Sequence, residues 1–431
     1  MKKKKLISAL LLGCMAFSLT ACGGSGDDSK KDEAATISVQ VEEAWLPYYE
    51  QVKERVMKEH PNATINFIKV GAFDHLDVID KTDVTNKDVA DVFALSADSL
   101  YDLANKNVLA PMDAKAMAEE VGGFKDYDAG LGGNLKIGDE YLAFPYNIET
   151  LVAYVNKGNA EKAGIDLTKN IEFNDLAFGK MVVPVHDAWY GVGFTNSASF
   201  ELLSKNGDKL TTDATKEWKD LTADQQKLFE SLYNYWKPNY DNKTDLWDKD
   251  AASGYLDAQF SADSGAAIRI DGPWATTGLS DKVGADNLEV LPLSQITVNG
   301  KALSHWKGGW GLGINARCEE NKAQMALAED FIKEIVNPEY AKDLFNATGK
   351  ILENVEPSAY DGIGGMNEKV IKATYTSYEA SINRPLFLEY GKVWDSWQNA
   401  LLSWSAQKPA NAEEAYKQVK ASFDAMMGTI K

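Results

Sequence analysis

Between residues 37 and 70 the chain reads strand, helix, strand, and that order confines it to folds built on a parallel sheet. Ile37 to Val41 (ISVQV) is a short strand candidate. Pro47 then sits where a first helical turn tolerates proline, and Tyr49, Val52, Val56 and Met57 follow at helical spacing. Pro61-Asn62 closes the helix, and Thr64 to Val70 (TINFIKV) alternates as a strand does. With 431 residues the chain exceeds the size at which one core keeps growing, so two domains are expected.

The rest continues the alternation. Asp91 to Leu95 reads as a strand and Asp98 to Lys106 as a short helix. Residues 124–147 are rich in Gly and Tyr, with a hairpin expected at Gly138-Asp139. Residues 151–157 (LVAYVNK) and Met181 to Val185 read as strands, the second running into HDAWYGVGFTNS, an aromatic-rich loop. Residues 221–237 form an amphipathic helix; Leu288 to Pro292 and Gly309 to Asn315 are strands around a turn at Asn299-Gly300. Helices are expected over 322–336, 338–346, 389–404 and 412–427. There is no internal repeat and no transmembrane helix.

One stretch stands out, GAAIRIDGPWATTGLS at residues 265–280. Small apolar residues up to Ile270 read as a buried parallel strand, stopped by Gly272-Pro273. Trp274 follows, at the end of a strand, where open α/β sheets bind ligands. Interdomain packing is the competing role for so large a ring.

The N-terminus carries an address. Lys2 to Lys5 form a positive segment, and Leu6 to Leu19 an apolar one too short to span a bilayer as a mature helix. Leu19-Thr20-Ala21-Cys22 looks like a bacterial lipobox, so residues 1–21 are expected to be a lipoprotein signal peptide and Cys22 the lipid attachment site. Residues 22–35, Gly, Ser and charge without periodicity, then form a flexible tether. Cys14 leaves with the signal, so Cys318 remains alone and is expected to be a buried or idle thiol. The formal net charge is −19, and loss of the four lysines Lys2 to Lys5 takes it to −23. Such a chain repels nucleic acid and anionic membrane surfaces, while neutral ligands are unaffected.

Catalytic signatures fail. There is no G-x-S-x-G, H-E-x-x-H or C-x-x-C. Gly349-Lys350 lacks the flanks of a phosphate-binding loop, and the Gly309, Gly311, Gly313 series has no acidic partner for a dinucleotide fingerprint. Asp241 and Asp245 have calcium-loop spacing, but Lys243 stands at the middle ligand, so no metal and no cofactor is expected. The four histidines, His60, His75, His186 and His305, lie far apart and are read as surface or satisfied core residues. Glycoside hydrolysis stays open, because its two carboxylates are usually distant in sequence. What is unusual is the aromatics: Trp45, Trp189-Tyr190, Trp274, Trp306, Trp310 and Trp394 mostly fall at strand ends or loop starts. Sugar rings stack a C–H face on such platforms, and burying one face, about 50–100 Å², is worth roughly 1–2.5 kcal/mol. The alternative is that half or more of these tryptophans are core.

With these residues placed, the chain resembles the extracellular solute-binding proteins of bacterial ABC sugar importers, in particular the maltose/maltodextrin-binding group. The resemblance runs from about residue 36 to 428 and is carried by residues 91–113, 141–157, 265–274 and 309–316, with a Pro385…Trp394 stretch. It implies an α/β fold of two periplasmic-binding-protein-like lobes with a hinge and an interlobe ligand cleft. The lobes implied are residues 36–147 plus 311–347 and residues 150–308 plus 350–431, with crossings near Asn147 to Thr150, Lys307 to Gly311, and Gly349. Matched positions imply that Asp98 and Glu149 hydrogen-bond sugar hydroxyls, that Trp189 and Tyr190 form an aromatic patch, and that Trp274 and Trp394 stack. Trp45, in a loop facing ligand, and Trp310 join the expected ligand-binding set. Two departures are that Leu95 stands where maltodextrin binders often carry a tryptophan, and that EEAW (42–45) replaces an acidic-basic pair. The implied function is a lipid-anchored, monomeric, non-enzymatic receptor on the outer face of the cell membrane. It would capture maltooligosaccharides by hinge closure and deliver them to a membrane permease. Other neutral oligosaccharides, β-linked or galacto-type, and a surface glycoside hydrolase are the alternatives.

Overall fold

The computed structural model describes residues 33–207 and 209–430. The expected signal peptide, Cys22 and most of the expected tether lie outside the described residues.

Ten strands build the two principal sheets. They are β1 (Thr36–Val41), β2 (Thr64–Lys69), β3 (Val92–Ser96), β4 (Phe144–Glu149), β5 (Val152–Asn156), β6 (Met181–Val182), β7 (Ile268–Asp271), β8 (Leu288–Pro292), β9 (Trp306–Ile314) and β10 (Ile382–Asn383). The first sheet runs β10-β9-β3-β1-β2, with β4 also paired to β9. The second runs β8-β5-β7-β6. Helices pack on both sheets, and a cleft lies between the two lobes.

The opening unit forms as its pattern dictates. β1 and β2 pair in parallel from Thr36 opposite Thr64 to Val41 opposite Lys69. The crossover is the helix Leu46–Glu59, whose Tyr48, Tyr49, Val52 and Val56 are buried. The Tyr48 hydroxyl donates to the Ile335 carbonyl at 2.9 Å, tying this helix to Lys322–Ile335. The hairpin at Gly138-Asp139 and the turn at Asn299-Gly300 form where expected.

Two local expectations are corrected. The strand inside residues 265–270 begins only at Ile268 and is parallel to β6 alone; it runs antiparallel to β5, so this sheet is mixed. HDAWYGVGFTNS is not a loop: Ala188–Ser197 is a helix, started by the Asp187 carboxylate accepting the Trp189 N–H at 2.8 Å. Gly191 and Gly193 lower its intrinsic propensity, but burial of Val192 and Phe194 overrides them.

Adjacent strands carry the chain between the sheets. β4 belongs to the first and β5 to the second, and the connecting Thr150 and Leu151 are fully buried. A second backbone run passes at Gly349–Ile351, where the Ile148 N–H donates to the Ile351 carbonyl at 2.9 Å. Behind the second lobe the helices Gly391–Gln407 and Ala412–Thr429 pack on Ala223–Asp241. Trp397 and Trp404 of Gly391–Gln407, with Trp247 from the turn Asp245–Trp247, are core: they give their indole N–H groups to the carbonyls of Val185, Ala415 and Leu401 at 2.8–3.0 Å. Cys318 is buried with its thiol pushed up to about 12, mainly by burial, so it is inert as expected. All four histidines are buried; His60 pairs with Asp330 at 2.7 Å, and His75 accepts the Ala90 N–H at 2.9 Å.

Candidate functional site

The cleft holds a cavity of about 680 Å³, in the size range of small-ligand pockets. Trp45, Asp98, Glu149, Trp189, Tyr190, Trp274, Trp310 and Trp394 all line it. Trp306 does not; it is core and packs edge-on behind Trp394 at 5.9 Å.

On the second lobe the end of β7 is fixed by a buried polar network. Asp271 takes both Nε and Nη2 of Arg269 on one oxygen, at 2.9 and 2.7 Å. Its other oxygen accepts the Gly272 N–H at 2.9 Å and the Tyr190 hydroxyl at 3.1 Å. The Tyr154 hydroxyl bonds the Gly272 carbonyl at 3.0 Å. Pro273 then opens a short 3-10 turn, Pro273–Ala275. The Trp274 ring folds back over Gly272, where a Cβ would stand 2.1 Å from ring carbons, so glycine is what lets this indole lie against the strand end. Trp274 is 48 % exposed, an unusual state for so large an apolar side chain. Beside it, tilted at a centroid distance of 6.5 Å, stands Trp189 from the first turn of Ala188–Ser197.

The first lobe answers with β9. Its register on β4 shifts between Trp310 and Gly311, and the Trp310 indole N–H donates to Glu149 Oε2 at 3.1 Å. Phe73, at the start of the helix Ala72–Lys81, packs edge-on against Trp310 at 5.0 Å and is 68 % exposed. Aromatic faces therefore enter one cavity from both lobes.

Two cations are seated among the rings. The Arg384 guanidinium lies 5.2, 5.3 and 5.5 Å from the ring centroids of Trp189, Trp306 and Trp394, and meets Asp98 at 3.1 Å. The Lys350 ammonium lies 5.0, 5.3 and 5.5 Å from Trp310, Trp45 and Tyr146. Four carboxylates line the same cavity, Glu42, Asp98, Glu149 and Asp187. Burial raises the pKa values of Glu42, Glu149 and Asp187; Lys350 opposes the rise at Glu42 and Glu149. Burial likewise lowers that of Lys350, against the pull of Glu149 and Glu42. Carboxylates outnumber cations four to two, so the cavity disfavours an anion.

Glu42, Phe73, Asp187, Lys350 and Arg384 are lining residues that sequence reasoning did not single out. Asp187 had a local signal, as a helix-capping type directly before Ala188. The two cations had none, because their cages are assembled from distant segments.

Comparison with known proteins agrees with this architecture. The maltodextrin-binding protein MdxE of Bacillus subtilis (strain 168) is 23 % identical over 431 residues, covering 96 % of this chain and 95 % of that protein. The diacetylchitobiose binding protein DasA of Streptomyces coelicolor is 23 % identical over 367 residues, 81 % of this chain and 82 % of that one. The maltose-binding periplasmic protein MalE of Listeria monocytogenes, solved in complex with maltose, shares the fold with a TM-score of 0.70 and 19 % identity. That match covers 92 % of this chain and 99 % of MalE. The profile of the bacterial extracellular solute-binding proteins matches residues 51–373. With most of its length under that profile and a cleft between two α/β lobes, the chain belongs to the bacterial extracellular solute-binding proteins, receptors rather than enzymes.

Proposed function

We propose that this protein is the sugar-binding component of an ABC importer, and that it takes neutral oligosaccharides, α-glucans first, into the interlobe cleft. The observation that carries the reading is the pairing of aromatic platforms from both lobes with carboxylates in one cavity of about 680 Å³: Trp45, Phe73 and Trp310 with Glu42 and Glu149, and Trp189, Trp274 and Trp394 with Asp187. Rings stack on the indoles while hydroxyls donate to the acids. Ligand touching both lobes favours the closed arrangement, and only such differential contact shifts the equilibrium. Residues 36–147 plus 311–347 and 150–308 plus 350–431 are the two moving bodies in this proposal, and the closed form docks on a membrane permease. Attachment through lipidated Cys22 to the outer face of the cell membrane completes it, supported by the lipobox-like Leu19-Thr20-Ala21-Cys22. A β-linked ligand is the second reading, favoured by the similarity to a diacetylchitobiose binder.

A thermal-shift and calorimetric panel of α- and β-linked oligosaccharides tests the proposal. Maltotriose and longer α-glucans should raise the unfolding temperature; a response to β-linked sugars alone reverses the linkage, and none to any glycan defeats the sugar reading. Sustained release of reducing ends from maltotriose would contradict a receptor. Trp274→Ala should weaken binding at least tenfold, about the 1.4 kcal/mol of one lost stacking face, with the unliganded unfolding temperature unchanged. Unchanged affinity would remove Trp274 from the site.

A further inference from the structure

Lys350 makes no side-chain hydrogen bond or ion pair among the described residues, although it lines the cavity and its ammonium carries three donors. Its position is built. The helix Ala341–Thr348 ends on Gly349 at φ 71°, a left-handed conformation that glycine adopts without strain, and the Gly349 N–H closes on the Phe345 carbonyl at 2.7 Å. The Lys350 N–H is taken by Thr348 Oγ1 at 3.1 Å, and the next residue, Ile351, bonds Ile148 on β4. The backbone on both sides is thus pinned, and the side chain passes under Trp310, Trp45 and Tyr146. Ring faces satisfy the charge and leave the N–H groups without an acceptor. Glu149 and Glu42 stand close enough to act on the ammonium electrostatically.

We infer that Lys350 is a specificity-determining ligand contact, which donates to one ring hydroxyl of the bound sugar while Glu149 or Glu42 accepts from that same hydroxyl. This rests on the oligosaccharide reading above and deepens it by naming the chemistry recognised. A hydroxyl both accepts and donates, so one hydroxyl oxygen can bridge an ammonium and a carboxylate. A carboxylate or carbonyl oxygen could take the ammonium proton but would confront the acids with no proton to give. A deoxy position would leave both protein groups desolvated and unpaired, the situation that makes hydroxyl-reading sites selective.

The test is a cycle between protein and ligand, read by calorimetry. Wild type, Lys350→Met and Lys350→Arg are each titrated with maltotriose and with its mono-deoxy analogues. Lys350→Met should bind maltotriose at least tenfold more weakly, and Lys350→Arg should recover part of that loss. One deoxy position should lose tenfold or more against wild type yet almost nothing further against Lys350→Met. A purely structural lysine predicts additive losses at every position, and that pattern, or full affinity in Lys350→Met, overturns the inference. If Lys350→Met does not fold, judged by circular dichroism, Lys350→Arg carries the same cycle: it must change which deoxy position is penalised or by how much. Wild type binding no neutral oligosaccharide at all would instead overturn the proposed function, so the two failures are distinguishable.

Discussion

Gly309→Ala should destabilise the protein by about 2–3 kcal/mol, a sizeable share of the 5–15 kcal/mol typical of folded domains. A Cβ on Gly309 would lie 2.6 Å from the Asn147 carbonyl oxygen and 2.6 Å from Leu131 Cδ2. The leucine can turn aside, but the carbonyl belongs to β4, directly laddered to β9, and cannot. Relief therefore requires the two strands to separate at the site where the first sheet meets the cleft. The cost is steric, since the glycine is not in a left-handed conformation. Gly278→Ala is the contrast: that glycine sits in the helix Thr276–Val283 with nothing within 4 Å of its added methyl. There alanine should be neutral or stabilise by up to about 1 kcal/mol through helix propensity. Urea unfolding of the three proteins, with equal m-values, decides it; equal stability of wild type and Gly309→Ala would show that β9 and β4 have room to spare.

That glycine illustrates what the chain discloses on inspection and what it withholds. The Gly309, Gly311, Gly313 series in GGWGLG (308–313) resembles a dinucleotide fingerprint only by spacing, and its strand character excludes that use. The reason for the glycines is tertiary: Gly311 faces Leu135 and Ala143, and Gly313 faces Leu109 and Leu95, each within 2.7–3.0 Å of an added Cβ. Leu95 is thereby explained as well, as a buried partner of β9 rather than a cleft residue. Elements with strong local periodicity, such as Leu46–Glu59 and Lys322–Ile335, were legible to within a residue or two. The helix Ala72–Lys81 carries a weak periodic signal because its buried stripe is Ala72, His75, Leu76 and Ile79, with a histidine in the apolar row. In Gly365–Glu379 the signal is blurred because the buried face includes Thr374 and Ser377, the latter's hydroxyl accepting the Leu293 N–H at 2.9 Å. In the cleft, residues at strand ends were legible because strand termination is a local signal. Lys350 and Arg384 were not, because a cation cage is a property of three rings from separate segments.

Glu353→Gln should stabilise the protein at pH 8 and do so progressively less as pH falls. Glu353 follows the Gly349–Ile351 run, and its Oε1 accepts the Leu131 N–H at 2.6 Å. Among the described residues Oε2 is buried without a hydrogen-bond partner, as is the nearby Tyr127 hydroxyl. Lys307 on β9 attracts the charge; Tyr375 and Tyr378 also face it, and Glu356 on the same segment is held by Lys125 at 2.7 Å. Burial outweighs the Leu131 amide and Lys307 and lifts the carboxyl from 4.5 to about 7. An acid whose folded pKa is raised binds more protons folded than unfolded between those two values. Its contribution is therefore intact below about pH 4.5 and is lost as pH rises towards 7. At 1.36 kcal/mol per pKa unit the loss is on the order of 3 kcal/mol by pH 8. Glutamine keeps an oxygen for the Leu131 amide and cannot ionise, so its advantage over wild type should grow by that amount from pH 4.5 to 8. His75 and His305, held down to about 4 by burial, make both proteins less stable below pH 6.5. They are common to the two chains, so the difference between variant and wild type isolates Glu353. Urea unfolding at half-unit pH steps measures it, and a difference that stays flat from pH 4.5 to 8 would mean that Glu353 ionises as freely in the fold as in water.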